Sequence, residues 1–113
     1  MIVEFRTYRL TPGTGEEFVR VMKQESEPLQ AAVGIEVLDT GVSLVAEEGH
    51  TEAYLIRAFT DLSTYKQLED EFYASEAWRA GPRETILSMI ESYHTIAIEA
   101  DAQTVAALDK RGR

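Results

Sequence analysis

What most constrains this chain is an order of periodicities: strand, helix, strand, run through twice at similar lengths. Ile2–Leu10 is rich in β-branched and aromatic residues and stops at Thr11-Pro12-Gly13, which marks a strand closed by a turn. Thr14-Gly15-Glu16-Glu17 has the form of a capping box with Thr14 as N-cap. Phe18, Val21, Met22, Glu25 and Leu29 then recur at helical spacing, and Pro28 must kink or end that helix. Residues 35–38 and 42–45 are short β-like runs, either one strand bulged at Gly41 or two strands. Glu47-Glu48-Gly49-His50 is a turn, and residues 52–59 form the next strand. Asp61 or Ser63 opens a second helix with the apolar stripe Leu62, Tyr65, Leu68 and Phe72. A short helical turn around Trp78 ends at Gly81-Pro82. A helical piece over 83–91 with Ile86, Leu87, Met89 and Ile90 inward leads to a last strand over 93–99. The order is βαββαβ, an α+β pattern.

Right-handed crossovers put both helices on one face of the four-stranded sheet and leave the other bare. The first strand sorts into Val3, Phe5, Thr7 and Arg9 on one face and Ile2, Glu4, Arg6, Tyr8 and Leu10 on the other. The first set suits a cover of helices. The second, with greasy ends and a Glu-Arg-Tyr centre, suits contact with another copy around a small polar pocket. On that reading Ile2, Tyr8, Leu10, Leu55 and Phe59 form an apolar interface, and two sheets pack face to face about a two-fold axis as a homodimer. The competing arrangement is a monomer with the tail, helical over 101–108, folded across the bare face. The 113 residues make one domain, with a core over about 1–99 and a C-terminal extension over 100–113 that ends in a frayed 110–113.

Charge and composition narrow the function. A formal net charge of −9 opposes binding to nucleic acid or to an anionic membrane surface. The chain has no cysteine, which excludes disulfides and thiolate chemistry and is compatible with a cytoplasmic location. No apolar run is long enough to span a membrane, and no signal peptide is visible. Glycine-rich phosphate loops, a G-x-S-x-G elbow and nicotinamide fingerprints are absent, and the two histidines are far apart, so no cofactor and no metal is expected.

The opening MIVEFRTYRLTPGTGEEF and the stretch AFTDLSTYKQLEDEFYASEAW resemble the NIPSNAP family of the dimeric α+β barrel superfamily. The resemblance covers most of residues 1–98 and is carried by Glu4, Arg6, Thr7, Tyr8, Leu10, Pro12 and Gly13, then Asp61, Leu62 and Trp78. It implies a ferredoxin-like fold, a four-stranded antiparallel sheet with helices on one face, and a dimeric α+β barrel. It implies no single chemistry, because the superfamily includes cofactor-free monooxygenases, isomerases, dehydratases and haem-binding proteins. Many members carry His and Trp on the third strand, where this chain has Leu55 and Arg57 before Phe59.

Arg6 and Arg57 are the first candidates for a site, because strands one and three are central neighbours in this topology. Two guanidinium groups in a partly dry cavity need partners: Glu4 and other carboxylates, or an anionic ligand held bidentately. Tyr8 extends the same face as a ligand-binding or proton-transfer group, or as a tyrosine of the interface. His94 is an acid–base candidate or a structural histidine. Trp78 plugs the core beneath the second helix, and Glu47-Glu48 and Glu69-Asp70-Glu71 read as solvated surface. The residues therefore point to a homodimer that binds a small organic anion through Arg6, Tyr8 and Arg57. The alternative is a cofactor-independent monooxygenase or isomerase using the same pocket, and a third possibility is a module that only dimerises.

Overall fold

A computed structural model describes residues 1–111 as a four-stranded antiparallel sheet in the order β2-β3-β1-β4. The strands are β1 (Ile2–Leu10), β2 (Glu36–Val42), β3 (Thr51–Phe59) and β4 (Ile90–Glu99). Helices α1 (Gly15–Val21) and α2 (Glu27–Ala32) connect β1 to β2, and α3 (Leu62–Ala74), α4 (Glu76–Ala80) and α5 (Arg83–Met89) connect β3 to β4. A tail helix, α6 (Ala102–Leu108), follows β4. The βαββαβ order and the central pairing of β1 with β3 are as the periodicities require. No helix among the described residues is long and apolar enough to cross a membrane.

Several local expectations are revised by the structure. Thr14 makes no capping bond; its hydroxyl donates to the Thr11 carbonyl at 2.7 Å, while Glu17 pairs with Arg20 instead of reaching back. Pro28 does break the helix rhythm: a π-helical turn, Met22–Ser26, separates α1 from α2 just before it. Proline cannot donate to the preceding turn, so the ladder loosens there. β2 is one strand, and its register slips between Val37 and Asp39, so the bulge lies at Leu38 and not at Gly41. Gly41 is needed for another reason. A Cβ there would lie 2.7 Å from the Tyr54 hydroxyl, which crosses the glycine to donate to Asp39 at 2.7 Å. The acceptor Asp39 pushes the Tyr54 phenol up to about 12. Asp61 caps α3 through the Thr64 N–H at 2.7 Å, whereas Leu62 stands half in solvent and leaves the apolar stripe. β4 begins at Ile90, earlier than the sequence pattern suggests, so α5 ends at Met89; Leu87 is exposed.

The sheet faces are assigned the other way round from the sequence expectation. α1, α3 and α5 cover the face carrying Glu4, Arg6, Tyr8 and Leu10, and there Tyr8, Leu10, Leu55 and Phe59 join Phe18, Val21, Phe72, Ile86 and Met89 in one core. The expectation rested on the charged centre of β1 needing a partner surface; α3 supplies the matching groups from within the same chain. On the opposite face α6 packs Val105 and Leu108 against Val3, Leu38 and Ala58, and the Lys110 N–H donates to the Leu38 carbonyl at 2.8 Å. The tail is thus docked as far as Lys110, and Gly112 and Arg113 of the expected frayed end lie outside the described residues.

Candidate functional site

Cross-strand register brings the charged residues together. Glu4 on β1 faces Arg57 on β3, and Arg6 lies one step along the same face, between Leu55 on β3 and Thr95 on β4. Arg57 is fully buried, and its Nε donates to Glu4 Oε1 at 2.6 Å. Its other nitrogens reach Gln30 of α2 at 2.9 Å, the Tyr73 hydroxyl at 3.2 Å and Glu69 Oε1 at 3.2 Å. Arg6 donates to Thr95 at 3.0 Å, the Tyr73 hydroxyl at 2.9 Å, Glu4 Oε2 at 3.1 Å and the same Glu69 Oε1 at 2.9 Å. Tyr65 donates to Glu4 at 2.8 Å, and Gln30, which holds Arg57, donates in turn to Ser26 of the π-helical turn at 3.0 Å. Two cations face two anions, so the cluster is neutral as well as hydrogen-bonded, the condition under which buried charge is tolerated.

The two carboxyls differ in their surroundings. Burial disfavours the charged form of Glu4, but Arg57 and then Arg6 outweigh it and hold the carboxyl below its usual range. Burial is also the largest influence on Glu69; Arg57 opposes it, the negative Glu4 reinforces it, and the Glu69 carboxyl ends above its usual range. The surroundings of the pair thus favour a proton on Glu69 over one on Glu4.

Beside the cluster, between the sheet and the helices, lies a cleft of about 490 Å³. Arg6, Tyr8, Glu69, Tyr73, Trp78 and Tyr93 line it, with Arg83 from the start of α5. The Arg6 guanidinium sits between two rings, 5.4 Å from the centre of Tyr93 and 5.6 Å from that of Tyr73. Four of its five N–H groups are used within the protein, leaving one. The Tyr73 oxygen accepts from both arginines, and no described residue accepts its own proton. Tyr8 is only 4% exposed, packs on Phe18 at 4.9 Å, and makes no hydrogen bond with any described residue; burial pushes its phenol up. No buried polar side-chain atom among the described residues lacks a partner, so the Tyr8 hydroxyl is the part of this residue left accessible, at the cleft, where water or a ligand meets it. Arg83 makes no ion pair among the described residues.

The NIPSNAP family model matches residues 3–99. The chain belongs to the NIPSNAP family. Among solved structures, an uncharacterised NIPSNAP domain protein from Burkholderia xenovorans superposes with a TM-score of 0.77 at 20% identity, covering 90% of this chain and 96% of that one. A NIPSNAP family protein of unknown function from Agrobacterium tumefaciens gives a TM-score of 0.76 at 24% identity, over 88% and 87% of the two chains. A second protein of the family from the same organism gives 0.76 at 19% identity, over 89% and 93%. At these identities the likeness speaks for the fold alone. The search of curated proteins found no match.

Within this NIPSNAP fold, the residues singled out from sequence fall in different places. Arg6 and Tyr8 line the cleft. Arg57 stands behind Arg6, shut off from solvent and bonded to Glu4, Gln30, Tyr73 and Glu69. His94 pairs with Thr7 on the opposite face and is exposed there, so the structure separates it from Tyr8. Trp78 is buried as expected, against Phe72 and Tyr73 at 5.1 and 5.6 Å, and also forms part of the cleft wall. Glu69 is a correction: it is not solvated surface but the carboxylate that bridges both arginines. The missed set is Glu69, Tyr73 and Tyr65, which recur every four residues along α3 and share one helix face. That spacing was the available signal.

Proposed function

We propose that this NIPSNAP protein binds a small organic molecule in the cleft between sheet and helices, with an acceptor or anionic group of the ligand at Tyr8, Tyr73 and Arg6. The observation that carries the reading is the Tyr8 hydroxyl: it belongs to a residue only 4% exposed, has no hydrogen-bond partner among the described residues, and is accessible from the cleft. The donors around it are the Tyr73 proton, the remaining Arg6 N–H and Arg83, while Trp78 and Tyr93 offer flat apolar walls. Arg57 contributes by holding Arg6 and Tyr73 in place. The alternative, a cofactor-independent enzyme, uses the same cleft with Tyr8 as the proton-transfer group; His94, on the other face, has no part in it.

The homodimer belongs to the same proposal, with the second copy on the opposite face. Phe5 and Ile56 are half-buried there, and Ile96 and Ile98 stand 53% and 44% exposed beside the edge that α6 leaves uncovered. The test of binding is a titration of the full chain with benzamide and benzenesulfonate, followed by amide chemical shifts. Saturable shifts confined to Tyr8, Tyr73, Trp78 and Tyr93, weakened about tenfold by Tyr8→Phe, are the expected result, a loss within reach of one hydrogen bond to a polar group. Absence of saturable shifts with either probe sinks the reading.

A further inference from the structure

The Arg6–Arg57 pair already holds a carboxylate in the place where a ligand's anion belongs. Glu69 Oε1 lies 2.9 Å from Arg6 Nη2 and 3.2 Å from Arg57 Nη2, bridging two guanidinium groups from adjacent strands. The other carboxylate of the cluster, Glu4, is fully buried and held by Arg57, Arg6 and Tyr65. Glu69 is held by the two arginines and lies within hydrogen-bonding reach of Glu4 and Tyr65, but its side chain is 13% exposed and it lines the cleft. We propose that Glu69 is a built-in competitor: its carboxylate occupies the seat on Arg6, with Arg57 behind it, that an anionic group of the ligand takes over, so the cleft selects for organic anions and does so best when Glu69 is neutral or withdrawn. This rests on the cleft being the binding site.

Electrostatics gives the reason. With Glu69 ionised the cluster is neutral and an incoming anion finds no unmatched charge at the arginine pair; with Glu69 protonated or moved, one positive charge is left there for it, in addition to Arg83 at the cleft. The groups facing Glu69 are Glu4, Arg6 and Tyr8 from β1, Arg57 from β3, Tyr93 from β4 beyond Arg6, Arg83 from α5 at the cleft, and Tyr65, Asp70 and Tyr73 from its own helix. None of these is a histidine; His94 lies on the far face and His50 sits 3.2 Å from Arg9. Burial raises the Glu69 carboxyl above its usual range, which is the direction that favours its neutral form.

The experiment measures the affinity of the full-length chain for benzenesulfonate, which keeps its charge throughout, and for neutral benzamide, at about pH 5.5 and about pH 8. The wild type should bind benzenesulfonate about tenfold more tightly at the acid pH, and Glu69→Gln should bind it that tightly at both. Benzamide binding should be flat with pH. Should Glu69→Gln fail to fold, the wild-type pH series decides alone. Benzenesulfonate affinity that is flat with pH in the wild type, or a Glu69→Gln protein that keeps the pH dependence, overturns the proposal. If benzamide still binds at the cleft in that case, the role of Glu69 falls and the binding reading stands; if neither probe binds, both fall.

Discussion

Arg57 shows what a single residue does in this molecule. A guanidinium with no solvent exposure is tolerated because Glu4, Gln30, Tyr73 and Glu69 meet it on every side. Arg57→Met removes one partner and leaves Glu4 a buried anion. We expect a loss of about 3–5 kcal/mol, measured by urea unfolding, because uncompensated buried charge is the dominant cost. Tyr8 should behave in the opposite way. Its hydroxyl has no hydrogen bond to a described residue to lose, so Tyr8→Phe should leave the unfolding free energy within about 0.5 kcal/mol while weakening the ligand. A large destabilisation by Tyr8→Phe would mean that the hydroxyl serves the fold and not the cleft. Of the two residues, Arg57 was legible as a charge needing partners. Glu4 was legible as one of its partners and does meet it, but Glu69 was not, since it sits in an acidic run that reads as solvated until α3 is laid on the sheet.

At the scale of elements, α3 is the part that turns a fold into a site. Its capping residue Asp61 accepts from the Thr64 N–H, which holds that carboxyl below its usual range. Asp61→Ala should lower the midpoint of thermal unfolding, because the Thr64 N–H loses its cap acceptor. The helix then presents Tyr65, Glu69 and Tyr73 to β1 and β3 along one stripe. That Asp61 starts the helix was readable locally, because a cap and its acceptor are three residues apart. Pro28 likewise announced a break, but the form of the break, a π-helical turn that places Ser26 against Gln30, depends on packing over the sheet. The Thr14 capping box, the Gly41 bulge and an inward Leu62 did not form, for a common reason. Each was a local preference worth about 1 kcal/mol or less, which tertiary contacts override.

For the whole molecule, two expectations can be measured. Ile96 and Ile98 stay exposed on a sheet face that one short helix covers in part; Ile96→Glu should convert a two-chain mass to a one-chain mass in light scattering, and a wild type already of one-chain mass ends the dimer proposal. The second concerns pH. Glu69 is raised in the folded state, so its contribution is fully present below the unfolded value near 4.5 and is lost as pH rises through the folded value. Glu4 is lowered, so its contribution is present above that value and is lost as pH falls through its folded value. The difference in stability between wild type and Glu69→Gln should therefore shrink in the wild type's disfavour as pH climbs above about 4.5, and a difference independent of pH would contradict the assignment. The order of elements, the central β1–β3 pairing and the meeting of Arg6 with Arg57 were determined by the sequence alone, because strand and helix periods and the handedness of crossovers act locally. Which face the helices cover, and that Glu69 and Tyr73 complete the arginine pair, was decided only by tertiary structure. A strand's alternation names two faces but cannot say which one a distant helix will neutralise.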